Sequence, residues 1–320
     1  MVSKTETFNT DKFMKKLITS FLLLCLLMPA RPALAWNGAG HMITGAIAYS
    51  DLERNDPGAL KKTVAILKKH PEYESRWQPM LAKVAEGDRD TLLFMLAAKW
   101  PDDIRRNPTY DRPTWHYINI PFKPQGQPDT VVVKQPPDVN ILSAIQENLN
   151  ILNSNISDGE KAIALCWIFH LYGDIHQPLH TSTLFTTQFP EGDRGGTRFY
   201  IKPKADRGTI SLHSFWDGLL GRADRFQPVR NRATQLRLTN GRSTFPQLRD
   251  KDFINWAKEE SFPLAVGDGY LNGRLQGGST KEEGEVLPAG YAQDSQAIAE
   301  KQVTLSGYRI SDELKQLFRN

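Results

Sequence analysis

Six of the seven histidines fall in four short motifs. These are Trp36-Asn-Gly-Ala-Gly-His41, Trp115-His116-Tyr117, His170-Leu-Tyr-Gly-Asp174-Ile-His-Gln-Pro-Leu-His180 and Leu212-His213-Ser-Phe-Trp-Asp217. A fifth, Trp100-Pro-Asp102-Asp-Ile-Arg105, adds carboxylates. Imidazole nitrogens and carboxylate oxygens in this proportion suit several zinc ions, and the chemistry such a set supports is phosphoester hydrolysis.

Spacing sharpens the reading. His170 and Asp174 stand at i and i+4, one above the other on a helix. Residues 162–169 ahead of them are apolar all round, so that helix is expected to be buried on most faces. A buried carboxylate without a partner is costly, and a metal removes the difficulty; a His–Asp hydrogen bond in a core is the alternative. Gln177-Pro178 breaks the helix and lets His180 aim at a different ion. His213 and Asp217 repeat the i, i+4 pair. His176, two residues from Asp174, faces elsewhere and reads as a support for the site or as surface. His70 ends a lysine-rich helix, where its charge would suit the helix C-terminus. Arg105 has the planar fork that suits phosphate oxygens; a structural pair with Asp103 is the other reading.

The elements that carry these residues read as helices. Asp56-Pro57 is an N-cap followed by proline, opening a helix to about residue 70. Residues 88–99 and 138–154 have helical spacing, and Ser157-Asp-Gly-Glu160 is a capping box. Residues 184–210 are Gly-rich loops with a strand-like stretch at 197–201, and 221–250 reads as polar and irregular. Helical patterns resume at 251–267 and from about 289 to 319. The expectation is an all-α fold, one mainly helical domain over residues 36–320 with long loops and at most a small β-hairpin.

Residues 1–35 read as a signal peptide. Lys12, Lys15 and Lys16 precede an apolar run at 17–28, too short to span a bilayer, and Ala33-Leu34-Ala35 is a small-x-small cleavage site. Cleavage would make Trp36 the first residue, carry off five of the 40 basic and two of the 36 acidic side chains, and bring the formal charge of +4 close to neutral. No global basic field then draws in a polyanion, so attraction must be local. The stretch 222–251 is such a locality: seven arginines and Lys251 stand against Asp224 and Asp250, as a phosphate track or as a loop paired to acids elsewhere. Cys166 is the only cysteine after residue 35, so an intramolecular disulfide is excluded there.

The ordered set, from the N-terminal Trp through His-x-x-x-Asp-x-x-Gln-Pro-Leu-His to Leu-His-Ser-x-Trp-Asp, resembles the trinuclear-zinc single-strand-specific nucleases of the fungal S1/P1 and mung bean type. These lie within the superfamily shared with zinc phospholipase C. The resemblance implies three Zn2+ ions. One would be held by the free α-amino group and carbonyl of Trp36, His41 and the bridging Asp174. A second would take Asp102, His116, His170 and Asp174, and a third His180, His213 and Asp217. Ions sharing Asp174 could hold a hydroxide between them for in-line attack on phosphorus, with Arg105 and the third ion stabilising the developing charge. Asp102, Arg105 and Asp174 are thus the candidate catalytic residues.

In the resembling family an aromatic at the position of Tyr117 stacks the base 5′ to the cut, which favours single strands; the alternative is a tyrosine packed in the core. Asn119 stands where an acidic residue often reads the base edge, the Gly-Gly-Asn loop reads Gly195-Gly196-Thr197, and the family's disulfides are missing. The implied activity is endonucleolytic cleavage of single-stranded DNA and RNA to 5′-phosphorylated products, with 3′-nucleotidase activity. The implied protein is secreted or periplasmic, needs no protein partner and has no membrane attachment after signal cleavage. A zinc phospholipase C, or an exported binding protein using zinc as a staple, are the rival readings.

Overall fold

Helix starts follow the side chains that cap them. In the computed structural model, which describes residues 36–319, α1 (Gly38–Asn55) begins where the Asn37 side chain accepts from the Gly40 N–H. The Asp56 carboxylate caps α2 (Pro57–Leu67), with Pro57 at the first helical position. α3 (Arg89–Asp103) ends just past Pro101 and carries Asp102 in its last turn. β1 (Ile120–Phe122) follows, then α4 (Ile141–Leu152). The reciprocal Ser157–Glu160 box opens α5 (Asp158–Ile175). Next come β2 (Ser182–Leu184), β3 (Tyr200–Lys202), β4 (Ile210–Ser211), α6 (Leu212–Asp217) and α7 (Phe226–Thr239). Residues 253–269 alternate α and π turns, β5 (Glu285–Val286) follows, and α8 (Tyr291–Leu317) closes the fold. The expected signal peptide at 1–35 lies outside the described residues.

The fold is mainly helical. α1 lies between α3 and α8, and α5 is wrapped by α3, α4, α1 and α8. Residues 164–185 are buried without a break, so α5 and the turn after it form the centre of the molecule. Cys166 is buried there, and burial pushes its thiol well above the usual range, leaving it inert. A second apolar cluster, with Leu179, Phe199, Leu212, Trp216 and Tyr270, sits beneath α6. No described helix is long and apolar enough to cross a membrane.

Three expectations need correction. The strand content exceeds one hairpin: β3 pairs antiparallel with β4 and parallel with β5, and β1 pairs parallel with β2. Residues 226–239 form a helix, because Val229, Ala233 and Leu236 at i, i+4 and i+7 make a narrow buried stripe against α1. His70 does not sit charged at a helix end. α2 stops at Leu67, and the His70 ring is buried, stacked on Trp77 at 4.3 Å and edge-on to Trp100 at 4.7 Å.

Burial lowers His70 to about 4. The unfolded ring takes a proton near pH 6.5 and the folded ring only near 4. Its contribution is therefore complete above pH 6.5 and lost as pH falls toward 4, an acid destabilisation of about 3 kcal/mol. Denaturant unfolding at pH 7 and pH 5 should show His70→Gln less stable than wild type at pH 7 but losing less between the two. Equal losses in both proteins would remove His70 from the account.

Candidate metal centre

Four helices and one strand pair deliver the ligand-type side chains to one place. α5 stacks His170 over Asp174, with His170 Nε2 3.2 Å from Asp174 Oδ2. α6 does the same for His213 and Asp217, at 3.5 Å. The β1–β2 pair ties the turns that carry His116 and His180: the Ile118 N–H donates to the His180 carbonyl at 2.8 Å, and His180 Nδ1 reaches the His116 carbonyl at 2.6 Å. His41, from the first turn of α1, reaches Asp174 Oδ1 at 3.2 Å and stacks on His170 at 3.8 Å.

Three groups result: His41, His170 and Asp174; Asp102, His116 and His170; His180, His213 and Asp217. Asp174 joins them, since His116 Nδ1 lies 3.1 Å from its Oδ2 and His180 Nδ1 lies 3.9 Å from its Oδ1. His170 Nε2 lies 2.9 Å from His116 Nδ1 and 3.8 Å from Asp102 Oδ1. Ligand atoms sharing one tetrahedral zinc stand roughly 3–3.5 Å apart. The separations here scatter about that value.

The surroundings fit metal better than a hydrogen-bonded core. His170, His180 and His213 each commit Nδ1 to a backbone carbonyl, those of Ala98, His116 and Gly195, at 2.9, 2.6 and 2.6 Å. Donation there fixes the tautomer that leaves Nε2 a lone pair, which is how protein groups orient histidines toward metal. Meanwhile His116 Nε2, His180 Nε2, Asp102 Oδ2 and Asp174 Oδ1 are buried polar atoms without a hydrogen bond. Native structures leave few such atoms, and a cation would satisfy them. Gly173 lets His41 approach: a Cβ there would sit 2.7 Å from His41 Nδ1.

Electrostatics agree. Burial lowers His41 and His116, and brings His180 to about 4, so these imidazoles stay neutral near pH 7, the ligand state. Burial works against ionised Asp174, but the imidazoles of His170 and His180 and the His116 hydrogen bond hold it well below the usual carboxylate range. Asp217 goes the other way, raised well above that range by burial and by the charges of Asp174 and Asp102, despite the Gln177 hydrogen bond. A cation held between them would reverse that repulsion.

Trp36 is fully buried, its indole N–H donating to the Gly173 carbonyl at 3.0 Å, one residue before Asp174. Arg105 pairs with Asp102 Oδ1 through Nε at 3.0 Å and Nη2 at 2.8 Å; Asp103 pairs with Arg76 and Lys99 instead. Tyr117 and Asn119 are half-buried on the extended segment after His116, and among the described residues no aromatic ring packs against Tyr117. His176 is neither surface nor directed at the site. It is buried, with Nδ1 to the Tyr172 carbonyl at 2.6 Å and Nε2 2.7 Å from Arg309 Nη1. Of the eight cations at 222–251, Arg230, Arg232, Arg242 and Lys251 pair with Asp88, Glu300, Asp51 and Asp312, Arg237 lies half-buried beside Tyr308, and Arg222, Arg225 and Arg249 are exposed without an ion pair among the described residues.

In the sequence Gln177 stands out only as part of the helix break. Its Nε2 donates to Asp217 Oδ1 at 2.8 Å while its Oε1 accepts from the Leu179 N–H at 2.6 Å, joining the two helical carriers. Its place between two histidines was the available signal.

Residues 36–319 match the family model described as S1/P1 Nuclease. The chain is 25% identical to Endonuclease 4 of Arabidopsis thaliana, covering 89% of this chain and 90% of that one. It is 26% identical to Endonuclease 3 of the same plant, over 94% of each. Nuclease S1 of Aspergillus oryzae is 31% identical over 41% of this chain and 43% of its own.

Proposed function

Because the chain belongs to the S1/P1 nuclease family, and is thereby a hydrolase acting on nucleic acids, we propose that it is an exported, zinc-dependent endonuclease of single-stranded DNA and RNA that also hydrolyses 3′-nucleotides. The observation that carries the zinc reading is the set of three His/Asp groups joined at Asp174, all members but Asp102 buried, with His170, His180 and His213 tethered by backbone carbonyls. His41, Asp102, His116, His170, Asp174, His180, His213, Asp217 and the Trp36 terminus would hold three ions. Zinc supplies Lewis acidity and lowers the pKa of water at a phosphodiester.

The chain's own groups do the rest. Asp102 fixes the Arg105 guanidinium at the edge of the second group, with N–H donors left over for phosphoryl oxygens as charge builds there. The Tyr117 ring is free to stack a base, which an unpaired strand offers and a duplex does not. Asn119 both donates and accepts beside it. Export through a cleaved signal at 1–35 would leave the α-amine of Trp36 free and place the enzyme in a secreted or periplasmic setting.

A zinc count on the protein beginning at Trp36, run beside cleavage of single-stranded DNA and of phosphatidylcholine with a chelated control, tests this reading. About three zinc ions and chelator-sensitive strand cleavage are expected. Lipid turnover without strand cleavage would make it a phospholipase, and bound zinc with neither turnover would make it a binder.

Tyr117→Ala should weaken single-strand binding by about 1–3 kcal/mol, the scale of one lost base–aromatic stack. Asn119→Asp should change the base preferred 5′ to the cut without loss of zinc. Product mapping on mixed-sequence strands decides it: unchanged profiles for both variants would argue against a base pocket.

A further inference from the structure

Asp193 is a buried carboxylate that neither the ligand set nor the substrate pocket uses. It is fully buried and takes part in no ion pair among the described residues. Hydrogen bonds alone hold it: the Leu184 N–H donates to Oδ1 at 2.8 Å, the Tyr270 hydroxyl to Oδ2 at 2.7 Å, the Thr183 hydroxyl to Oδ1 at 3.4 Å, and the Gly196 N–H adds a fourth. Burial lifts its carboxyl to about 6 against these donors, so it is charged at neutral pH. Tyr270 stays a donor, since burial pushes its hydroxyl well above the usual range. A charge kept this deep without a counter-charge is costly unless it organises its surroundings.

What it organises is the loop at 192–196. Gly192, Arg194, Gly195 and Gly196 all have positive φ, at 79°, 56°, 60° and 79°. The three glycines take this conformation freely, which leaves the loop's shape to its anchors, and Arg194 is the one residue strained by it. The loop is wedged in place: a Cβ on Gly195 would lie 2.3 Å from the Leu179 carbonyl oxygen, next to His180. On its inner side the Gly195 carbonyl accepts from His213 Nδ1 at 2.6 Å, and the Gly196 carbonyl accepts from the His213 N–H at 3.2 Å. Its other anchors, Thr183 and Leu184, belong to β2, which starts two residues after His180. One carboxylate thus couples the carriers of two ligands of the third group.

We propose that Asp193 is a positioning residue for the third metal ion, locking the 192–196 loop so that the Gly195 carbonyl holds His213 with Nε2 facing His180 and Asp217. The proposal rests on the zinc reading above. Its test is a stepwise zinc titration against a competing chelator, on wild type, Asp193→Ala and Asp193→Asn. Wild type should bind three ions; fewer would defeat the zinc reading itself. Given three, Asp193→Ala should bind the ion of the His180–His213–Asp217 group about 10–100-fold less tightly while the other two keep their affinities, the scale of a lost outer partner. Asp193→Asn, which keeps the size and one acceptor oxygen, should fall between, and it carries the test should the alanine variant not fold. An unchanged third affinity in either folded variant overturns the proposal. So does an equal loss at all three sites, the mark of general loosening.

Discussion

Asp174→Asn is expected to leave a folded chain that has lost most of its metal affinity and with it about two to nearly four orders of magnitude of strand cleavage. Losing an outer partner of a metal ligand already costs about 10–100-fold, and losing one preorganised electrostatic group costs about 10²–10³-fold in rate, so a carboxylate shared between groups falls at or beyond the upper ends of these ranges. Asp174 is the member with the largest stake, because His41, His116, His170 and His180 all lie within 3.9 Å of its two oxygens. An amide keeps the shape, but it loses the charge, and its nitrogen cannot ligate. Burial already lowers His41, His116 and His180. His170 is raised against its burial by the charges of Asp174 and Asp102, and the variant removes the first of these, so the defect falls on metal rather than on the core. Melting with and without chelator separates the two effects: wild type should lose stability when stripped, since a ligand that binds only the native state stabilises it, whereas the variant should barely respond. Full zinc content with ordinary turnover in Asp174→Asn would refute the shared-carboxylate account.

The legible parts of this site were those encoded locally. His170 with Asp174 and His213 with Asp217 could be paired because four residues is one helical turn, and the Ser157–Glu160 box fixed where the central helix begins. Partners brought from afar were illegible. His176 reads as a support for the site or as surface because its partner Arg309 arrives from α8, 133 residues away. His70 looked like a charged helix end because nothing local announces Trp77 and Trp100 closing over it. Helix α7 has a weak period because only three of its apolar residues, Val229, Ala233 and Leu236, share the buried stripe among so many polar ones, although a narrow stripe suffices when only one face is covered. The β1–β2 pairing of segments 62 residues apart has no local signature, yet it sets His116 against His180. Asp193 among three glycines reads as a turn, and only its burial under Tyr270 shows more.

Trp36, the first residue under the proposed cleavage, carries the other large effect. A protein starting at Trp36 is expected to be active, and the same protein with one extra Met in front is expected to lose at least about a hundredfold in activity and to hold zinc less tightly. Trp36 is no dangling terminus: its ring is fully buried on Gly173, and the Asn37 N–H after it meets the Asp217 carbonyl at 3.4 Å. Its main chain therefore enters the fold beside Asp174, in a place where an uncompensated polar group is costly. A free α-amine has a lone pair once deprotonated, from a pKa near 7.7–8.0 in the unbound state, and metal competes for that proton. Extension converts the amine to an amide nitrogen, whose lone pair is delocalised and no ligand. Loss of an outer partner of a ligand already costs roughly 10–100-fold, so loss of a ligand itself sets the floor at the upper end. Trp36→Phe with a free terminus is the control, since it removes only the indole hydrogen bond to Gly173 and should cost far less than the added Met. If the Met-extended and trimmed proteins match in zinc content and turnover, the terminal amine has no place in the site.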